Sequence, residues 1–494
     1  MNLKNILDGI EGLKAKGELD LEIEGIESNS KKIEKGFLFV AIKGFTVDGH
    51  EFIGSAIENG AVAVVVDESC DLKALKIPSN VTLIVAKDTR EFLALASANF
   101  YGNPSERFKL IGITGTKGKT TTTFMIKEIL EKAGKKVGLI GTIATYINGR
   151  KIADSDRTTP ESLELQRMFA DMVKEGVEYV VMEVSSQSLK LHRVDGCHFD
   201  YVAFTNFSED HISEKEHPNM EDYLQSKLKL FHMCKTGFVN IDDLQGNKIP
   251  AMFPDSDITG YGIDNFGNFL AKDITITNSY VDFKAKIADR NERVKVDIPG
   301  RFTVYNALCA ICVCRKIGIE SQVMKEALEK IKVPGRSEMV ENKLEIPIMI
   351  DYAHSPESLQ NILQAVKSYT RGRVISVFGC GGDRDSRKRP VMGEISGKIA
   401  DYTIITSDNP RTENPEAIVS EIEEGIKKTK GKYECIVDRV EAIKKAIKMA
   451  NQKDIIVLAG KGHEQYQEIK GKRYPFDEAK IVNEIIDEME ENKK

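Results

Sequence analysis

The chain has 494 residues, of which 41% are hydrophobic and 30% charged, and its formal net charge is −6. This length allows about three domains, the composition is that of a soluble globular protein, and interleaved lysines and glutamates give no basic surface for nucleic acid. No apolar stretch reaches the roughly 18 residues of a membrane span and the start lacks a signal-peptide core, so we expect a cytoplasmic protein without nucleic-acid or membrane partners. We also expect a monomer.

The first part of the chain alternates short apolar runs with a helical pattern. Apolar runs occupy residues 37–42 and 61–66, with the helix-like "EFIGSAIENG" between them, and "VTLIVAKD" follows as a third run. Strands that alternate with helices predict a largely parallel sheet. "YGNPSERF" reads as a linker, so we predict a first domain over residues 1–107.

A glycine-rich turn separates a predicted strand from a predicted helix in "LIGITGTKGKTTTTFMIKEIL", residues 110–130. Gly115 and Gly118 allow the backbone to turn successive N–H groups inward at the helix N-terminus. Lys119 adds a mobile positive charge, and the Thr120 hydroxyl can ligate a metal ion. The stretch predicts a P-loop that binds nucleotide phosphates, although isoleucine replaces the first glycine of the usual pattern. An ordinary glycine-rich turn is the alternative.

Two of the apolar runs that follow end in acidic residues. Glu183 closes the run in "VVMEVSSQSL", and Asp210 follows the run in "AFTNFSEDH". A buried carboxylate is costly unless it is paired or bound to a metal, so Glu183 beside a P-loop is a candidate magnesium ligand. His211 and Lys227 carry little weight alone, because a single histidine or a helix lysine is more often structural.

The rest of the chain predicts two further changes of architecture. Residues 254–300 are polar and β-rich, which indicates an antiparallel excursion, and residues 333–341 resemble a second boundary. A third α/β segment then carries five strand-like runs separated by helical patterns, with ligands expected at the carboxyl ends of the strands. We therefore predict a central domain over 108–335 and a C-terminal domain over 336–494.

Three helices are predicted to begin alike, at Thr159-Pro160, Ser355-Pro356 and Asn414-Pro415. Each pair is a capping residue followed by proline in the first turn. Because each follows a strand end, the three indicate helix N-termini that converge on anionic ligands. Simple helix punctuation is the alternative.

Cys309, Cys312 and Cys314 form a cluster in "NALCAICVCRKIG". No second cysteine or histidine group with zinc spacing accompanies them, and their neighbours are alanine, isoleucine and valine. We therefore predict small buried residues on a core helix rather than a metal site.

Taken together, the motifs resemble those of the Mur ligase family. They occur in the family's order: "ITGTKGKTTT", "TTPESLELQ", "MEVSSQSL", "FTNFSEDH", "YLQSK", "GRFTVYNAL", "PGR", "IDYAHSPESL", "GCGGDRD", "SDNPRTENP" and "GKGHE". The segment "FVAIKGFTVDGHEFIGSAIENGAVAVV" is similar to the family's UDP-binding domain. The resemblance spans essentially the whole chain. It implies a three-domain α/β fold with a UDP-substrate-binding N-terminal domain, an ATP-binding central domain on a P-loop-type parallel sheet, and a Rossmann-like C-terminal domain that binds the amino acid.

The resemblance also implies an activity. The enzyme would use ATP and Mg²⁺ to join meso-2,6-diaminopimelate to UDP-N-acetylmuramoyl-L-alanyl-D-glutamate through an acyl phosphate, in peptidoglycan precursor synthesis. Arg411 favours diaminopimelate, because a guanidinium can bind the second carboxylate that lysine lacks. Arg411 could instead pair with Asp408 or Glu413 and only hold its loop. The same reaction with L-lysine, a folylpolyglutamate-synthase-like ligase and a P-loop ATPase that acts as a switch are the alternatives.

The family motifs imply roles for individual residues. The catalytic residues would be Lys119, Glu183, His211 and Lys227, the last as a carbamate (N6-carboxylysine). The metal ligands would be Thr120, Glu183, His211 and the Lys227 carbamate. ATP would contact Gly115, Thr116, Lys117, Gly118, Lys119, Thr120, Thr121, Asn306, Arg336 and Asp351. The UDP-MurNAc-dipeptide would contact Ser30, Thr158, Thr159, Ser185 and Arg193. Diaminopimelate would contact Arg384, Asp408, Asn409, Pro410, Arg411, Gly460 and Glu464.

Overall fold

The computed structural model describes residues 1–73, 75–210, 212–213, 216–265, 267–287 and 290–491. The chain forms two compact units, one of Met1–Asn268 with Cys309–Glu320 and the other of Phe269–Leu308 with Ser321–Lys494. The bounds of the three predicted domains stay a prediction. Among the described residues, no helix is both long and apolar enough to cross a membrane.

The N-terminal region is built on a five-stranded sheet of order β1-β5-β4-β3-β2. Its elements are α1 (Leu3–Ile6), β1 (Lys14–Lys16), β2 (Gly25–Glu27), β3 (Phe37–Val40), α2 (Ile53–Glu58), β4 (Ala61–Asp67), β5 (Thr82–Ala86) and α3 (Thr89–Phe100). Strands β2 to β5 pair in parallel, as predicted, and β1 is antiparallel. Ala63 and Val65 of β4 join one core cluster, whereas Val64 and Val66 join another. The continuous apolar run therefore reflects a strand that is buried on both faces.

The central region places the P-loop on a second parallel sheet. Its elements are β6 (Lys109–Thr114), α4 (Lys119–Lys132), β7 (Val137–Ile140), β8 (Ala144–Ile147), β9 (Arg150–Asp154), α5 (Ser162–Lys174), β10 (Tyr179–Glu183), α6 (Ser186–Lys190), β11 (Tyr201–Phe204), α7 (Met220–His232), β12 (Thr236–Asn240), α8 (Ile249–Met252) and β13 (Asp257–Gly262). Strands β13-β12-β11-β6-β10-β7 run parallel in that order, and β8 and β9 extend the sheet antiparallel. The loops after β6, β10 and β11 therefore meet at one edge of the sheet.

The antiparallel segment predicted over 254–300 is confirmed only from Phe269 on, because β13 at its start pairs in parallel with β12. Strands β14 (Phe269–Ile276), β15 (Val281–Ile287) and β16 (Arg290–Val296) form an antiparallel meander. Helix α9 (Arg301–Ile317) follows, then α10 (Ser321–Glu329). The three clustered cysteines, Cys309, Cys312 and Cys314, are free thiols with no exposed surface on α9, as predicted for a core helix.

The C-terminal region is a six-stranded sheet of order β17-β18-β22-β19-β20-β21. Its elements are β17 (Glu338–Met339), β18 (Ile348–Asp351), α11 (Pro356–Tyr369), β19 (Val374–Phe378), α12 (Lys388–Ile399), β20 (Tyr402–Ile405), α13 (Pro415–Ile426), β21 (Tyr433–Cys435), α14 (Arg439–Met449), β22 (Ile455–Ala459), the hairpin strands β23 (Tyr466–Ile469) and β24 (Lys472–Pro475), and α15 (Glu478–Glu491). The five predicted strands pair in parallel, and β17 is antiparallel. The strands contribute to an apolar cluster on each face, as an enclosed parallel sheet requires.

Two of the three predicted helix starts are confirmed. The Ser355 side chain caps α11 and the Asn414 side chain caps α13, each with proline in the first turn. The prediction at Thr159-Pro160 is wrong, because α5 begins at Ser162 and its N-cap residue makes no side-chain cap. The Thr159 hydroxyl instead donates to the main-chain carbonyl of Glu183 at 2.9 Å. This threonine therefore ties its loop to the end of β10 and does not begin a helix.

Candidate active site

The P-loop lies between β6 and the 14-residue helix α4. Gly115 has φ 138° and Gly118 has φ 87°, conformations that other residues rarely adopt. A Cβ at Gly115 would lie 2.0 Å from Oγ1 of Thr205, so a side chain there has no space. The Lys117 N–H donates to the Asn206 side-chain oxygen at 2.9 Å, which fixes the loop against the strand end of β11. The loop is therefore held in a phosphate-binding conformation at a helix N-terminus.

Two lysines meet on one carbonyl of this loop. Lys119 Nζ donates to the carbonyl oxygens of Gly115 and Thr116, both at 3.0 Å. Lys227 Nζ, from α7, donates to the same Gly115 oxygen at 2.9 Å. The structure thus brings together the predicted phosphate-binding lysine and the lysine predicted to be a carbamate, which are separated by more than a hundred positions in the chain.

Lys227 occupies an unusual environment for an amine. Its side chain is 1% exposed, and Nζ lies 4.3 Å from the centroid of the Tyr223 ring. Burial holds the pKa of Lys227 well below its ordinary value, and the nearby charges of Lys119 and Lys117 act in the same direction while Asp210 opposes them. The neutral amine is therefore favoured, and this is the form that reacts with carbon dioxide.

Glu183 ends β10 with its carboxylate beside the P-loop threonine. Its Oε2 accepts hydrogen bonds from the hydroxyls of Thr120 and Thr142, each at 3.0 Å, and its Oε1 accepts the Thr142 N–H at 2.8 Å. Sequence reasoning missed Thr142, which follows the "VGLIG" strand and carried no motif of its own. These bonds hold a 1% exposed carboxylate in one orientation.

A carboxylate and a hydroxyl are the hard oxygen ligands that Mg²⁺ prefers. In the part of the chain that the structure describes, no group of three or more His, Cys, Asp or Glu side chains gathers as a metal site. Mg²⁺ commonly takes only one or two carboxylates and completes its shell with phosphate and water, so Thr120 and Glu183 fit this ion. His211 lies outside the described residues, and its role stays a prediction.

A cavity of about 260 Å³ adjoins the P-loop and Lys227. Its walls are formed by Lys119, Arg157, Thr158, Thr159, Ser185, Ser186, Gln187, Arg193, Glu216, Tyr223 and Lys227. All four residues predicted to bind the muramyl-dipeptide end of the substrate therefore lie together with both active-site lysines. Ser30, predicted to contact the uridine end, lies elsewhere: it is buried in the N-terminal region, where its carbonyl accepts a hydrogen bond from Asn59 at 2.8 Å.

Arg193 gives this cavity a buried positive charge. Its side chain is 7% exposed, forms an ion pair with Glu161 at 2.9 Å and donates to the Thr159 carbonyl at 3.2 Å. Its Nε–H is buried and has no hydrogen-bond partner among the described residues. Because buried donors are nearly always satisfied, this unpartnered Nε–H makes Arg193 a candidate to bind an acceptor atom of a ligand.

In the second unit, two of the predicted nucleotide-binding residues are neighbours. Asp351 ends β18, and its carboxylate accepts the Ser337 N–H at 2.8 Å. Burial raises the pKa of Asp351, while the Arg336 charge opposes that rise. The Arg336 guanidinium lies over the Tyr352 ring, 4.7 Å from its centroid. Asn306, the third, is a buried residue of α9.

The loops after β20 and β22 bring together a cluster of buried polar side chains. The Asn409 amide donates to Glu464 at 2.7 Å, and the ammonium of Lys461 donates to the Asn409 oxygen at 3.0 Å. Burial raises the pKa of Glu464, against the opposing charge of Lys461. Gly460 has φ 117°, and a Cβ there would lie 2.4 Å from Oδ2 of Asp408. Lys461 has no exposed surface and was not predicted, although it lies inside the quoted motif "GKGHE".

Arg411 lies two residues after Asn409 in the loop after β20 and has a left-handed backbone conformation, with φ 51°. Its N–H donates to the Glu468 carbonyl at 3.0 Å, its Nη1 donates to the Gly382 carbonyl at 2.7 Å, and its Nε lies 3.4 Å from a Glu468 carboxylate oxygen. Among the described residues, Arg411 therefore bonds to Gly382 and Glu468, and not to Asp408 or Glu413, the alternative partners that the sequence suggested. The Arg411 side chain is 21% exposed, so it can still reach a ligand.

Arg384 and Pro410 complete the residues predicted to bind diaminopimelate. Arg384 is exposed in the loop after β19, whereas Pro410 is buried. A Cβ on Gly382 would lie 2.0 Å from the Pro410 carbonyl oxygen, so the glycine-rich loop after β19 packs directly on the loop after β20. The structure therefore gathers the predicted amino-acid-binding residues around the carboxyl ends of β19, β20 and β22.

The fold and the geometry define a P-loop enzyme of the α/β class, with a second α/β region that carries a cluster of polar and charged side chains. Three family models match the chain: "Mur ligase family, catalytic domain" over residues 22–101, "Mur ligase middle domain" over 113–314 and "Mur ligase, glutamate ligase domain" over 335–462. The chain belongs to the Mur ligase family, and it has the family's three-domain α/β fold and its ATP-dependent, amide-bond-forming activity.

Similar proteins extend over the full chain. A UDP-N-acetylmuramoyl-L-alanyl-D-glutamate--2,6-diaminopimelate ligase of Caldanaerobacter subterraneus subsp. tengcongensis is 49% identical, over 99% of this chain and 100% of its own. A ligase of Clostridium acetobutylicum described by the same words, with the number 1, is 46% identical over 99% and 100%. A solved structure of such a diaminopimelate ligase matches with TM-score 0.71 and 29% identity, covering 99% of each chain.

Proposed function

We propose that this enzyme joins meso-2,6-diaminopimelate to the γ-carboxylate of D-glutamate in UDP-N-acetylmuramoyl-L-alanyl-D-glutamate, with ATP converted to ADP and phosphate. It acts in the cytoplasm as a monomer and supplies a precursor of peptidoglycan. The full-length relatives at 49% and 46% identity carry this acceptor and this amino acid in their names.

One observation carries the proposal, namely that a single cavity unites phosphate-binding and carboxylate-binding groups. Lys119 of the P-loop and Lys227 line the same 260 Å³ space as Ser185 and Arg193. An enzyme that phosphorylates a carboxylate needs its phosphate loop and a cationic carboxylate site within reach of each other. Arg193, with its unpartnered Nε–H, supplies that cation.

The first step activates the acceptor, because an amide does not form from a carboxylate and an amine at neutral pH without activation. A carboxylate oxygen attacks the γ-phosphorus of ATP, the bond to ADP breaks, and an acyl phosphate forms. The N–H groups between Gly115 and Thr121 hold the phosphates, and Lys119 turns from the loop carbonyls towards the phosphoryl oxygens that gain charge. Arg193 orients the carboxylate.

Thr120 and Glu183 would hold Mg²⁺, with His211 as a further ligand. When bound, the ion supplies neutralising charge for the phosphates. Lys227 is proposed to be carboxylated to N6-carboxylysine, since its buried amine is held in the neutral form. The conversion would replace a neutral amine with an anion beside the Gly115 carbonyl and give the cavity an oxygen ligand for the metal.

In the second step the amine of the amino acid attacks the acyl carbon and phosphate leaves. The cluster of Asn409 and Glu464 is proposed to bind the ammonium and carboxylate of the reacting end of diaminopimelate, and Arg411 to bind the distant carboxylate. Arg336, Asp351 and Asn306 are proposed to contact the nucleotide, and Ser30 the uridine end of the acceptor.

The test is ATP-dependent ligation of UDP-N-acetylmuramoyl-L-alanyl-D-glutamate with a panel of amino acids, read by product mass. We expect a product with meso-diaminopimelate, ADP formation only when acceptor and amine are both present, and no product with Lys119→Ala. Lys132→Ala, at the other end of α4, is the matched control and should stay active. Equal use of L-lysine would overturn the choice of amino acid, and rapid ATP hydrolysis without acceptor would favour the switch ATPase.

A further inference from the structure

Ser186, His217 and Asp222 form a hydrogen-bonded chain in the wall of the cavity. The Ser186 Oγ and His217 Nε2 atoms are 2.9 Å apart, and the His217 Nδ1 and Asp222 Oδ2 atoms are 2.6 Å apart. The histidine has no exposed surface, and Asp222 is 31% exposed. The three residues come from α6, the loop before α7, and α7 itself, so the tertiary fold assembles them.

The charges around these three side chains determine which atom of each hydrogen bond carries the hydrogen. Asp222 also accepts a hydrogen bond from Lys190 at 2.8 Å. Partial burial raises the pKa of Asp222, but its bonds from Lys190 and His217 outweigh burial and keep that pKa below its ordinary value. The carboxylate can therefore only accept, so Nδ1 of His217 carries a hydrogen and donates it.

The imidazole is then free to act as a base at Nε2. Burial lowers the pKa of His217, the charge of Lys190 acts in the same direction, and Asp222 opposes them. In the neutral ring Nε2 accepts, so the Ser186 hydroxyl donates to it. Because the Ser186 hydroxyl donates its hydrogen to Nε2, its oxygen can accept a hydrogen bond from another group. The ring of Tyr223 contacts the histidine ring at a tilt of 48°, with centroids 5.0 Å apart.

Ser186 connects this chain to the reacting groups. It lines the cavity together with Lys119, Lys227 and Ser185, whereas His217 is not among the lining residues. Glu216, beside the histidine, is a further charged residue of the wall, and its carbonyl accepts from Lys190 at 3.1 Å. The histidine can therefore act on a ligand in the cavity only through the serine hydroxyl.

We propose that Ser186, His217 and Asp222 form a proton relay that serves the attacking amine. The proposal rests on the ligase function proposed above. An amine nitrogen carries two hydrogens as a nucleophile and keeps one in the amide, so one proton has to leave. As the N–C bond forms and the C–O bond to phosphate breaks, that proton passes to Ser186 Oγ while the serine's own proton passes to His217 Nε2. The phosphate leaves with the electron pair of the broken bond, and Asp222 stabilises the imidazolium. Ser186 is the catalytic residue, and His217 and Asp222 are positioning residues that act through it.

A nucleophile that is a much weaker base than an alkyl amine tests the relay. Hydroxylamine traps the acyl phosphate as a hydroxamate. Its nitrogen also loses one proton, but the N–H of the adduct of so weak a base is acidic enough to pass that proton to water without the relay. We expect Ser186→Ala and His217→Gln to lower kcat for ligation by about 100-fold, the lower range for proton-transfer catalysis. Hydroxamate formation from the same acceptor and ATP should fall by less than about 3-fold, a small part of that range, and KM for diaminopimelate should barely change.

Ser188→Ala is the matched control, because Ser188 is a buried serine of the same helix whose hydroxyl bonds only to the Ser185 carbonyl among the described residues, at 2.7 Å. It should leave the ratio of ligation to hydroxamate formation at the wild-type value. If Ser186→Ala does not fold, Asp222→Asn takes its place. The asparagine amide can donate to Nδ1, which moves the ring hydrogen to Nε2 and removes the base.

The outcomes separate the two proposals. A wild-type enzyme that forms neither amide nor hydroxamate would refute the ligase function itself. An active wild-type enzyme whose Ser186→Ala and His217→Gln variants lose both reactions by the same factor would refute the relay, because the residues would then serve binding or folding. Selective loss of ligation in Ser186→Ala, or in Asp222→Asn where the first variant does not fold, supports the relay.

Discussion

Replacing Arg411 should remove the enzyme's preference for diaminopimelate over lysine. The two amino acids differ at their far end, where only diaminopimelate carries a carboxylate. The Arg411 guanidinium is anchored by the Gly382 carbonyl on one side and by Glu468 on the other, yet the side chain remains 21% exposed. It is thus held in place and still accessible, which is the condition for binding a carboxylate without reordering the loop.

The structure allows an estimate of the effect. A hydrogen bond to a charged group contributes roughly 1.5–3 kcal/mol, and a guanidinium can offer two to one carboxylate. Nη1 already bonds to Gly382 and Nε lies 3.4 Å from Glu468, so part of this capacity is used before a ligand binds. A net loss of about 3 kcal/mol is then reasonable, which corresponds to about 100-fold in kcat/KM.

The assay is competition between meso-diaminopimelate and L-lysine, with products resolved by mass. Arg411→Ala should lower kcat/KM for diaminopimelate about 100-fold, as worked above, and change the slow reaction with lysine little. Arg411→Lys should recover only part of the loss, because an ammonium cannot form the paired bonds. Arg387→Ala is the matched control, since that arginine is 83% exposed and pairs with Asp385.

Two results would refute this reasoning. If the Arg411→Ala variant kept its preference for diaminopimelate, a group other than Arg411 would bind the second carboxylate. If the variant lost activity with diaminopimelate and lysine equally, Arg411 would act by holding its loop through Glu468 and not by contacting the substrate.

Three further predictions concern the P-loop, the buried lysine and a buried ion pair. Gly115→Ala should abolish ATP binding in calorimetry, because its Cβ would lie 2.0 Å from Thr205 Oγ1; unchanged ATP affinity would contradict the proposed loop. The Lys227→Ala variant should lose ligation activity. The activity of the wild-type enzyme should fall when bicarbonate is removed and return when bicarbonate is added. Activity that does not depend on bicarbonate, together with an unmodified mass of the active enzyme, would argue against the carbamate. Glu478→Gln should cost roughly 3–5 kcal/mol, because it removes the negative charge 2.8 Å from the fully buried Arg439 even though the amide oxygen can still accept a hydrogen bond. It should thus lower the apparent Tm by about 10 °C; a shift within a degree would show that Arg439 does not need the charge.

Local sequence patterns predicted an element correctly where the interactions that form it involve residues close together in the chain. The P-loop is one example, because Gly115 and Gly118 take backbone conformations that their own chemistry permits. The capping pairs at Ser355 and Asn414 are another, since a cap needs only a side chain and the N–H groups just after it. Apolar runs likewise predicted the parallel strands, since a strand buried on both faces needs apolar residues at every position.

Thr159 shows where local reasoning failed. Its sequence is that of a helix cap, but its hydroxyl bonds to the Glu183 carbonyl, 24 residues away in the chain. Thr142 and Lys461 were missed for the same reason: each acts on a predicted site residue, Glu183 or Asn409, that is distant in sequence. A hydroxyl or ammonium carries no pattern that reveals such a partner.

The sequence by itself determined the family, the strand and helix order and the residue types of the site. Only the tertiary structure decided which of those residues meet. The reason is that β6 pairs with β10 on one side and β11 on the other, so neighbours in the sheet are not neighbours in the chain. The loops at their carboxyl ends therefore converge, and contacts such as that of Ser186 with His217, 31 residues apart, follow from sheet order.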